Sequence, residues 1–425
     1  MAFLRRAFPS QSSSISTSLL LLLLLYSFSS QFLPIEPYMV PYLTTVKHFT
    51  NFQVTVDIFP LSVYAQLVFT LLMAPACLYL SHKVVIVLGA FGILLTYFIA
   101  WMGESLLSMQ FMQVTYGFGA ATRLAFSSYT FLVVPEEEYQ AMTSVTTTTS
   151  LLSFMFASEL SQLLAFEKIP YVAFFVLTFI SLGVCCSMAL LLPKDRSSSL
   201  FSTSFAHCFN DDEGLVRTLK KTWHGRDLQI LSLWWAVAYA GFSLVQNYGT
   251  NLFYAIDSNS KLNGHIIAAS QAAGSLGAFC AVYLENFASQ RGMIIYVMGL
   301  AFMAILCVFM GISARIWVVY LIYVTISGIY QTLACLLTVR CGHLLSNKQF
   351  ILLFSFNSFT GLLLETILQA VLEISRLSVF AQFSVFGGFF SLATMVFIFL
   401  CFFGRSSGTP ELESEPEPLV SEWTY

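Results

Sequence analysis

The sequence predicts an all-α polytopic membrane protein in which 12 transmembrane helices form two six-helix bundles. Hydrophobic residues make up 57% of the 425-residue chain and charged residues only 10%, and the mean hydropathy is +0.77. Such a composition leaves too little polar surface to cover a water-soluble globule. The apolar residues lie in twelve stretches, six on each side of one long polar segment.

Each apolar stretch is long enough to cross a bilayer, because about 20 helical residues span ~30 Å of hydrocarbon. We predict spans at residues 16–42, 57–80, 84–102, 105–134, 140–165, 170–192, 228–256, 263–286, 292–312, 315–343, 348–374 and 378–404. The Leu19–Leu25 run in the first stretch also resembles the apolar part of a signal peptide, whose cleavage would leave an odd number of spans. Apolar character resumes through Phe32, however, which favours a first span.

These spans divide the chain into four parts. Residues 1–193 form an N-terminal six-helix bundle, 194–227 a cytoplasmic linker, 228–404 a C-terminal six-helix bundle, and 405–425 a disordered acidic cytoplasmic tail. Two six-helix bundles joined by a linker are typical of secondary transporters that hold cargo near the bilayer midplane and rock about it.

The distribution of basic residues predicts the orientation, because Lys and Arg are retained on the cytoplasmic side. With both termini in the cytoplasm, twelve of them fall in cytoplasmic segments: Arg5, Arg6, Lys83, Lys194, Arg196, Arg217, Lys220, Lys221, Arg226, Arg291, Lys348 and Arg405. Five fall outside: Lys47, Lys168, Lys261, Arg315 and Arg376.

Several classes of protein lack support in the sequence. The nine cysteines are scattered without a C-x-x-C pair, and there is no phosphate-binding G-x-x-x-x-G-K-[ST] loop. We therefore predict no cofactor, no metal site and no nucleic-acid partner. No catalytic cluster shares one face of a span, which disfavours an enzyme, and no repeated filter or ring of like charges indicates a channel.

Four ionisable residues fall within predicted spans, namely Glu36, Arg123, Arg340 and Glu365. A charge at the bilayer centre costs at least ~2.5–3.5 kcal/mol, so such residues usually face a cavity or a partner. The alternative is pairing that only holds helices together, or a place near the interface. Because Arg340 lies only a few residues from the end of its span, it is a candidate for a cytoplasmic gate.

Glu36 and Arg123 have the strongest local signals for a cavity. Pro34, Pro37 and Pro41 surround Glu36 and should interrupt the first helix, and broken spans are tolerated where they line a water-filled cavity. Arg123 follows small residues, and its planar guanidinium suits a carboxylate on the cargo, on Glu36 or on Glu365. Asn247, a polar residue within the seventh span, is a further candidate.

The chain resembles the folate and thiamine carrier family, a branch of the major facilitator superfamily. The resemblance is carried by F-L-P-I-E-P-Y-M-V-P-Y-L at 32–43, A-T-R-L-A-F-S-S-Y-T-F at 121–131, L-W-W…A-G-F…N-Y at 233–248, and F-N-S-F at 356–359 beside Glu365. It implies a major-facilitator-type fold in the plasma membrane and a water-soluble vitamin as the substrate.

The resemblance also implies roles for single residues. Glu36 matches a carboxylate that both branches place in the central cavity, and Arg123 matches an arginine that the folate branch uses for its anionic substrate. Asn247 and Tyr248 look like the thiamine branch. Three positions depart from the folate pattern: Gln113 replaces a glutamate, Ser327 an arginine and Glu365 a lysine.

These departures argue against folate itself, because folate carries two carboxylates and two cations have been replaced. We therefore expect a secondary-active transporter of a folate-like or thiamine-like small organic heterocycle, working by alternating access. Coupling to a counter-anion and coupling to protons both fit. The alternative is a vitamin-binding, receptor-like relative that does not transport.

Overall fold

The computed structural model describes residues 16–50, 52–194, 222–223, 225–257, 262–345, 349–375 and 377–402. Over these residues the chain forms helices and no strand. The α-helices are α1 (Thr17–Ser29), α2 (Met39–Thr45), α3 (Pro60–Leu80), α4 (His82–Met102), α5 (Leu106–Val133), α6 (Tyr139–Phe166), α7 (Tyr171–Leu191), α8 (Arg226–Ile256), α9 (Asn263–Arg291), α10 (Ile294–Ile312), α11 (Ile316–Leu344), α12 (Phe350–Ser375) and α13 (Val379–Phe402). Most of the linker predicted at 194–227, namely residues 195–221 and 224, and the predicted acidic tail lie outside the described residues.

Ten of the described helices are long and apolar enough to cross a membrane. They correspond to ten of the predicted spans. α5 is long enough but is not among the ten, because its Gln, Thr, Ser and Arg residues lower its hydropathy. The remaining span is the first, which is broken.

The first span consists of α1, an irregular stretch over residues 30–35, a short 3-10 turn at Glu36–Tyr38, and α2. The break contains Pro34 and Pro37, as the sequence predicts, whereas Pro41 lies within α2. α1 is an integrated part of the fold, because Leu23 is fully buried and the helix packs against α6 and α7.

Serine hydroxyls satisfy the carbonyl groups that the break leaves free. Ser181 of α7 donates to the carbonyl of Ser29 (2.9 Å). Beyond the break, Ser161 donates to the carbonyl of Pro34 (2.5 Å). An unpaired carbonyl is costly where water is excluded, so these contacts let the span remain broken.

The helices pack as two halves, α1–α7 and α8–α13. Within the first half α5 lies against α3 and α4, and within the second half α9 lies against α11 and α10 against α13. Two pairs of helices make the main contacts between the halves: α6 on α9, and α3 on α12. Reciprocal hydrogen bonds between Thr148 and Ser275 join α6 to α9 (3.2 and 3.3 Å).

Aromatic side chains close the space between the halves on one side, which we call the linker side because α7 ends there and α8 begins there. Phe131 of the first half packs against Phe350 (5.2 Å between ring centroids) and Phe354 (5.5 Å) of the second. Tyr139 packs against His343 (5.5 Å). These contacts bring the end of α5 and the beginning of α6 against the end of α11 and the beginning of α12.

The halves also touch on the opposite side. There the imidazole of His265 on α9 contacts the carboxylate of Glu159 on α6 at 3.0 Å. Gln162 of α6 lies close to Gly264 of α9. A Cβ atom added at Gly264 would lie 1.8 Å from Nε2 of the Gln162 side chain. The space between the halves is thus bounded on both sides.

Candidate functional site

A cavity of about 430 Å³ lies between the two halves, mostly within the first. Arg123 of α5 projects into it, together with Gln31 from the break in the first span. The second half contributes Gln271 of α9 and Gln331 of α11. The lining has no carboxylate, so Arg123 supplies its only full charge.

The guanidinium of Arg123 is exposed to this space. With its amide turned toward the guanidinium, Gln31 accepts hydrogen bonds from Nη1 at 3.2 Å and Nε at 3.3 Å. No carboxylate of the described residues lies within ion-pairing distance of Arg123. The pairings with Glu36 or Glu365 that the sequence left open are therefore not made, and the guanidinium keeps capacity to bind an anion.

Glu36 faces a second cavity, of about 380 Å³, toward the opposite side. Tyr38, Ser158 and Gln162 also line this cavity, and the phenol of Tyr38 donates to Gln162 Oε1 at 2.9 Å. The hydroxyl of Ser158 is buried and has no hydrogen-bond partner among the described residues. Phe154 lines both this cavity and that of Arg123, so it separates the acidic space from the basic one.

Two tyrosines connect Glu36 with Arg123. Tyr116, two turns before Arg123 on α5, donates a 2.8 Å hydrogen bond to Glu36 Oε1. Tyr97 of α4 is a second neighbour of the Glu36 carboxylate, and both phenols lie within electrostatic reach of Arg123. The structure therefore brings Glu36 and Arg123 into one polar network without a direct ion pair.

Glu365 is buried on α12 rather than exposed in the Arg123 cavity, with 6% of its surface accessible. Asn247 Nδ2 of α8 donates to its Oε1 at 3.0 Å. Ser243, one turn earlier on α8, is a further polar neighbour of the carboxylate, and Tyr239 lies on the same face of that helix. The structure thus joins Asn247 and Glu365, two of the residues singled out in the sequence.

Three other predicted site residues lie elsewhere. Tyr248 packs its ring edge against Phe386 of α13. Ser327 is buried and donates to the carbonyl of Ser270 at 2.8 Å, so its hydroxyl joins α11 to α9. Gln113 is buried on α5 and lines neither the Arg123 cavity nor the Glu36 cavity.

Arg340, the predicted gate residue, lies at the linker-side end of α11. Tyr296 at the start of α10, within the same half, is a polar neighbour of Arg340, and Arg340 Nη1 has no hydrogen-bond partner among the described residues. The aromatic contacts of Phe131 and Tyr139 are what cross between the halves at this level. A gating role for Arg340 stays a prediction.

Sequence reasoning missed Gln31, Gln271 and Gln331, which share the cavity with Arg123. Each is an uncharged polar residue within or beside a predicted span, and this position in a span was the only feature of the sequence that could have indicated a place in the cavity. Amides carry both donors and acceptors in one plane, so they suit the edge of a heterocycle.

The chain matches the reduced folate carrier family model over residues 16–214 and 207–385. It is 27% identical to thiamine transporter 1 of Mus musculus, over 88% of this chain and 87% of that protein. It is also 27% identical to folate transporter 1 of Caenorhabditis elegans, over 90% and 92%.

A solved structure supports the same architecture. The major facilitator superfamily transporter FucP, crystallised in its outward conformation, superposes with a TM-score of 0.67 over 90% of this chain and 98% of its own length, at 15% identity. The all-α fold is thus that of the major facilitator superfamily. Equal identity to a thiamine and a folate transporter leaves the cargo to the chemistry of the cavities.

Proposed function

Because this chain belongs to the reduced folate carrier family of membrane transporters, we propose that it carries a water-soluble vitamin, a small heterocycle of the folate or thiamine type, by alternating access. Membership of this family puts the chain among transporters rather than enzymes. The observation that carries the proposal is Arg123, whose guanidinium lies in a cavity between the halves without a carboxylate partner among the described residues.

The position of Arg123 supports a role in cargo binding better than a structural one. A guanidinium kept only to hold helices together would have its charge compensated by a neighbouring acid, since an uncompensated charge in the membrane is costly. Gln31 supplies one amide oxygen and Tyr116 an uncharged phenol, so neither compensates the charge. A carboxylate or phosphate on the cargo would complete the set of hydrogen bonds in a bidentate manner.

Glu36 supports a second point of contact for the cargo. Its carboxylate is oriented by Tyr116 and faces its own cavity, where an amino or cationic group could be held. An anionic and a cationic feature therefore have separate places to bind. A zwitterionic or singly charged heterocycle fits this arrangement better than folate, whose two carboxylates would meet one arginine.

Binding of labelled thiamine and labelled folate to the purified protein tests this proposal. Arg123→Ala should weaken binding of a carboxylated ligand roughly 10- to 100-fold, because a hydrogen bond to a charged group contributes about 1.5–3 kcal/mol. Glu36→Gln should do the same for thiamine. Arg315→Ala, in an exposed connection outside the cavity, is the matched control.

Binding of neither vitamin, or binding that neither cavity variant weakens, would contradict the proposed site. The second candidate, a receptor-like relative that binds without transport, is favoured by the departures from the folate pattern at Gln113 and Ser327, which line neither the Arg123 cavity nor the Glu36 cavity. It predicts binding with no flux.

The proposal includes an orientation. Both termini face the cytoplasm of a plasma-membrane protein, as the excess of Lys and Arg in the corresponding segments favours. An epitope at either end should then be accessible to antibody only after the cells are permeabilised, and staining of intact cells would contradict it.

A further inference from the structure

A third cavity, of about 200 Å³, adjoins the Arg123 cavity on the linker side. The two cavities share five lining residues: Phe126, Ser127, Thr146, Thr147 and Gln331. Phe131 and Phe354, whose rings close the linker side, also line this third space, which we call the aromatic cavity. The proposed contacts of the cargo with Arg123 and Glu36 do not use it, although it borders the cavity in which Arg123 lies.

Both halves supply aromatic walls to this cavity. Phe126 and Phe131 come from α5, whereas Trp235 comes from α8 and Phe354 from α12. The ring centroid of Phe354 lies 5.4 Å from that of Trp235 and 5.5 Å from that of Phe131. None of the described residues that line the cavity carries a full charge. Such walls favour a flat ring, which gains both contact area and ring–ring attraction there.

Few polar groups in the aromatic cavity are free to bind a ligand. The hydroxyls of Thr130, Thr146 and Thr338 donate to carbonyl groups of their own helices at 3.0, 2.8 and 2.7 Å. By contrast, neither the side-chain amide of Gln331 nor the indole N–H of Trp235 has a hydrogen-bond partner among the described residues. These two side chains therefore offer donors and an acceptor to the edge of a ring.

The volume of the aromatic cavity limits what it can hold. An apolar cavity of about 150 Å³ binds one benzene molecule. The aromatic cavity, of about 200 Å³, therefore accommodates one six-membered ring with small substituents. The neighbouring cavity supplies one full charge, on Arg123, and its lining has no carboxylate. A ligand that fills both spaces has one ring and one anionic group.

We propose that the aromatic cavity binds the ring of the cargo while Arg123 binds its carboxylate, so that the substrate is a one-ring heteroaromatic carboxylate. Trp235 stacks on the ring. Gln331 lines both cavities, and its amide hydrogen-bonds a nitrogen atom or a polar substituent of the ring. This inference rests on the proposed function and narrows its substrate class.

Equilibrium binding of three labelled vitamins to the purified protein tests the substrate class. Nicotinate has one pyridine ring and one carboxylate, nicotinamide has the ring without the charge, and pantothenate has a carboxylate without a ring. Nicotinate should bind roughly 10-fold or more tightly than either of the others, because each of them lacks one of the two contacts. Equal affinities for nicotinate and pantothenate would overturn the role of the aromatic cavity.

Substitutions at Trp235 test which side chain holds the ring. Trp235→Ala should weaken nicotinate binding roughly 10-fold and leave pantothenate binding unchanged, whereas Trp235→Phe keeps an aromatic face and should retain most of the affinity. Trp317→Ala on α11, whose side chain is 67% exposed, is the matched control. Equal nicotinate binding in wild type and Trp235→Ala would overturn the assignment.

Photolabelling locates the ring in the native chain and does not depend on the folding of any variant. The probe is 4-azidobenzoate, which has one ring and one carboxylate and whose azide, when illuminated, forms a bond to a neighbouring side chain. The labelled peptides should contain Trp235 or Phe354, and excess nicotinate should prevent the labelling. Label found instead in the peptide that contains Tyr38, beside Glu36, would overturn the proposal.

The same ligands separate this inference from the proposed function. Nicotinate that binds in the aromatic cavity but is not exchanged across the membrane of proteoliposomes would support the inference and contradict transport. Thiamine or folate that is bound and exchanged, while neither nicotinate nor 4-azidobenzoate binds, would support the proposed function and overturn the inference.

Discussion

Tyr116 donates a 2.8 Å hydrogen bond to Glu36, and through it a residue of α5 fixes the carboxylate that stands at the break in the first span. The same helix carries Arg123 two turns later, so one element orients both charges. Glu36 could otherwise choose among several rotamers around the 3-10 turn.

Tyr116→Phe removes the donor and leaves the ring in place. We expect weaker binding of thiamine, by roughly 10-fold or more, because a hydrogen bond to a charged group contributes about 1.5–3 kcal/mol. Equilibrium binding to the purified protein measures it. Tyr79→Phe on α3, 68% exposed, is the control. Equal affinities in wild type and Tyr116→Phe would show that this hydrogen bond does not organise the site.

Gly117 allows α5 to approach α3 closely. A Cβ atom there would meet the backbone carbonyl oxygen of Ser62 at 2.6 Å and the backbone nitrogen of Gln66 at 2.7 Å. Neither backbone atom can move alone, so Gly117→Ala should destabilise the protein by about 1–3 kcal/mol. The melting temperature in detergent measures this.

The matched control for Gly117 is Gly183 on α7, where a Cβ atom would meet nothing within 4 Å. Gly183→Ala should leave the melting temperature equal or raise it, because alanine favours the helix by about 1 kcal/mol. If Gly117→Ala and Gly183→Ala had the same melting temperature, the close approach of α5 and α3 would not be the cause of any loss of stability in Gly117→Ala.

The serine contacts at the broken span give a third prediction. Ser181→Ala leaves the carbonyl of Ser29 buried without its donor and should cost about 1–3 kcal/mol of stability. Ser187→Ala on the same helix removes a hydroxyl that bonds only the carbonyl of Gly183 in its own helix, and should cost little. Thermal melting of the two variants compares them, and a larger loss for Ser187→Ala would contradict the role of Ser181.

The aromatic closure of the linker side gives a fourth prediction. Phe131 separates this side from a cavity of about 200 Å³ that is also lined by Cys335. Phe131→Ala should open the closure and increase labelling of Cys335 by a water-soluble maleimide added from the linker side. Cys335→Ser in the same background defines the signal from the other cysteines.

Phe309→Ala, whose side chain is 53% exposed on α10, should leave the labelling of Cys335 unchanged. Equal labelling of Cys335 in wild type and in Phe131→Ala would show that Phe131 does not limit access from this side.

The fold was predictable because the features that indicate membrane spans and the break in the first span are visible in the sequence of residues alone. Long apolar stretches mark spans, and Pro34 and Pro37 mark the break, since proline cannot supply a backbone donor; Pro41 lies within α2 instead. The serines that make the break tolerable were not predictable, because Ser161 and Ser181 come from other helices far along the chain.

The site was predictable only in part, because sequence position does not say which way a side chain points. Asn247 and Tyr248 are adjacent, yet about 100° of helix rotation takes one to Glu365 and the other to Phe386. For the same reason Glu36 and Arg123 were expected in one charge set, whereas they line separate cavities divided by Phe154.

The most direct test of the central claim is counterflow in proteoliposomes that contain the purified protein. Vesicles are loaded with unlabelled thiamine or folate, and the labelled vitamin is supplied outside. The label should accumulate transiently inside the vesicles with saturable kinetics, and Arg123→Ala or Glu36→Gln should reduce the initial rate of its uptake. A carrier that alternates its access predicts this accumulation. Saturable binding of the same vitamin without any counterflow would contradict transport and identify a receptor-like protein.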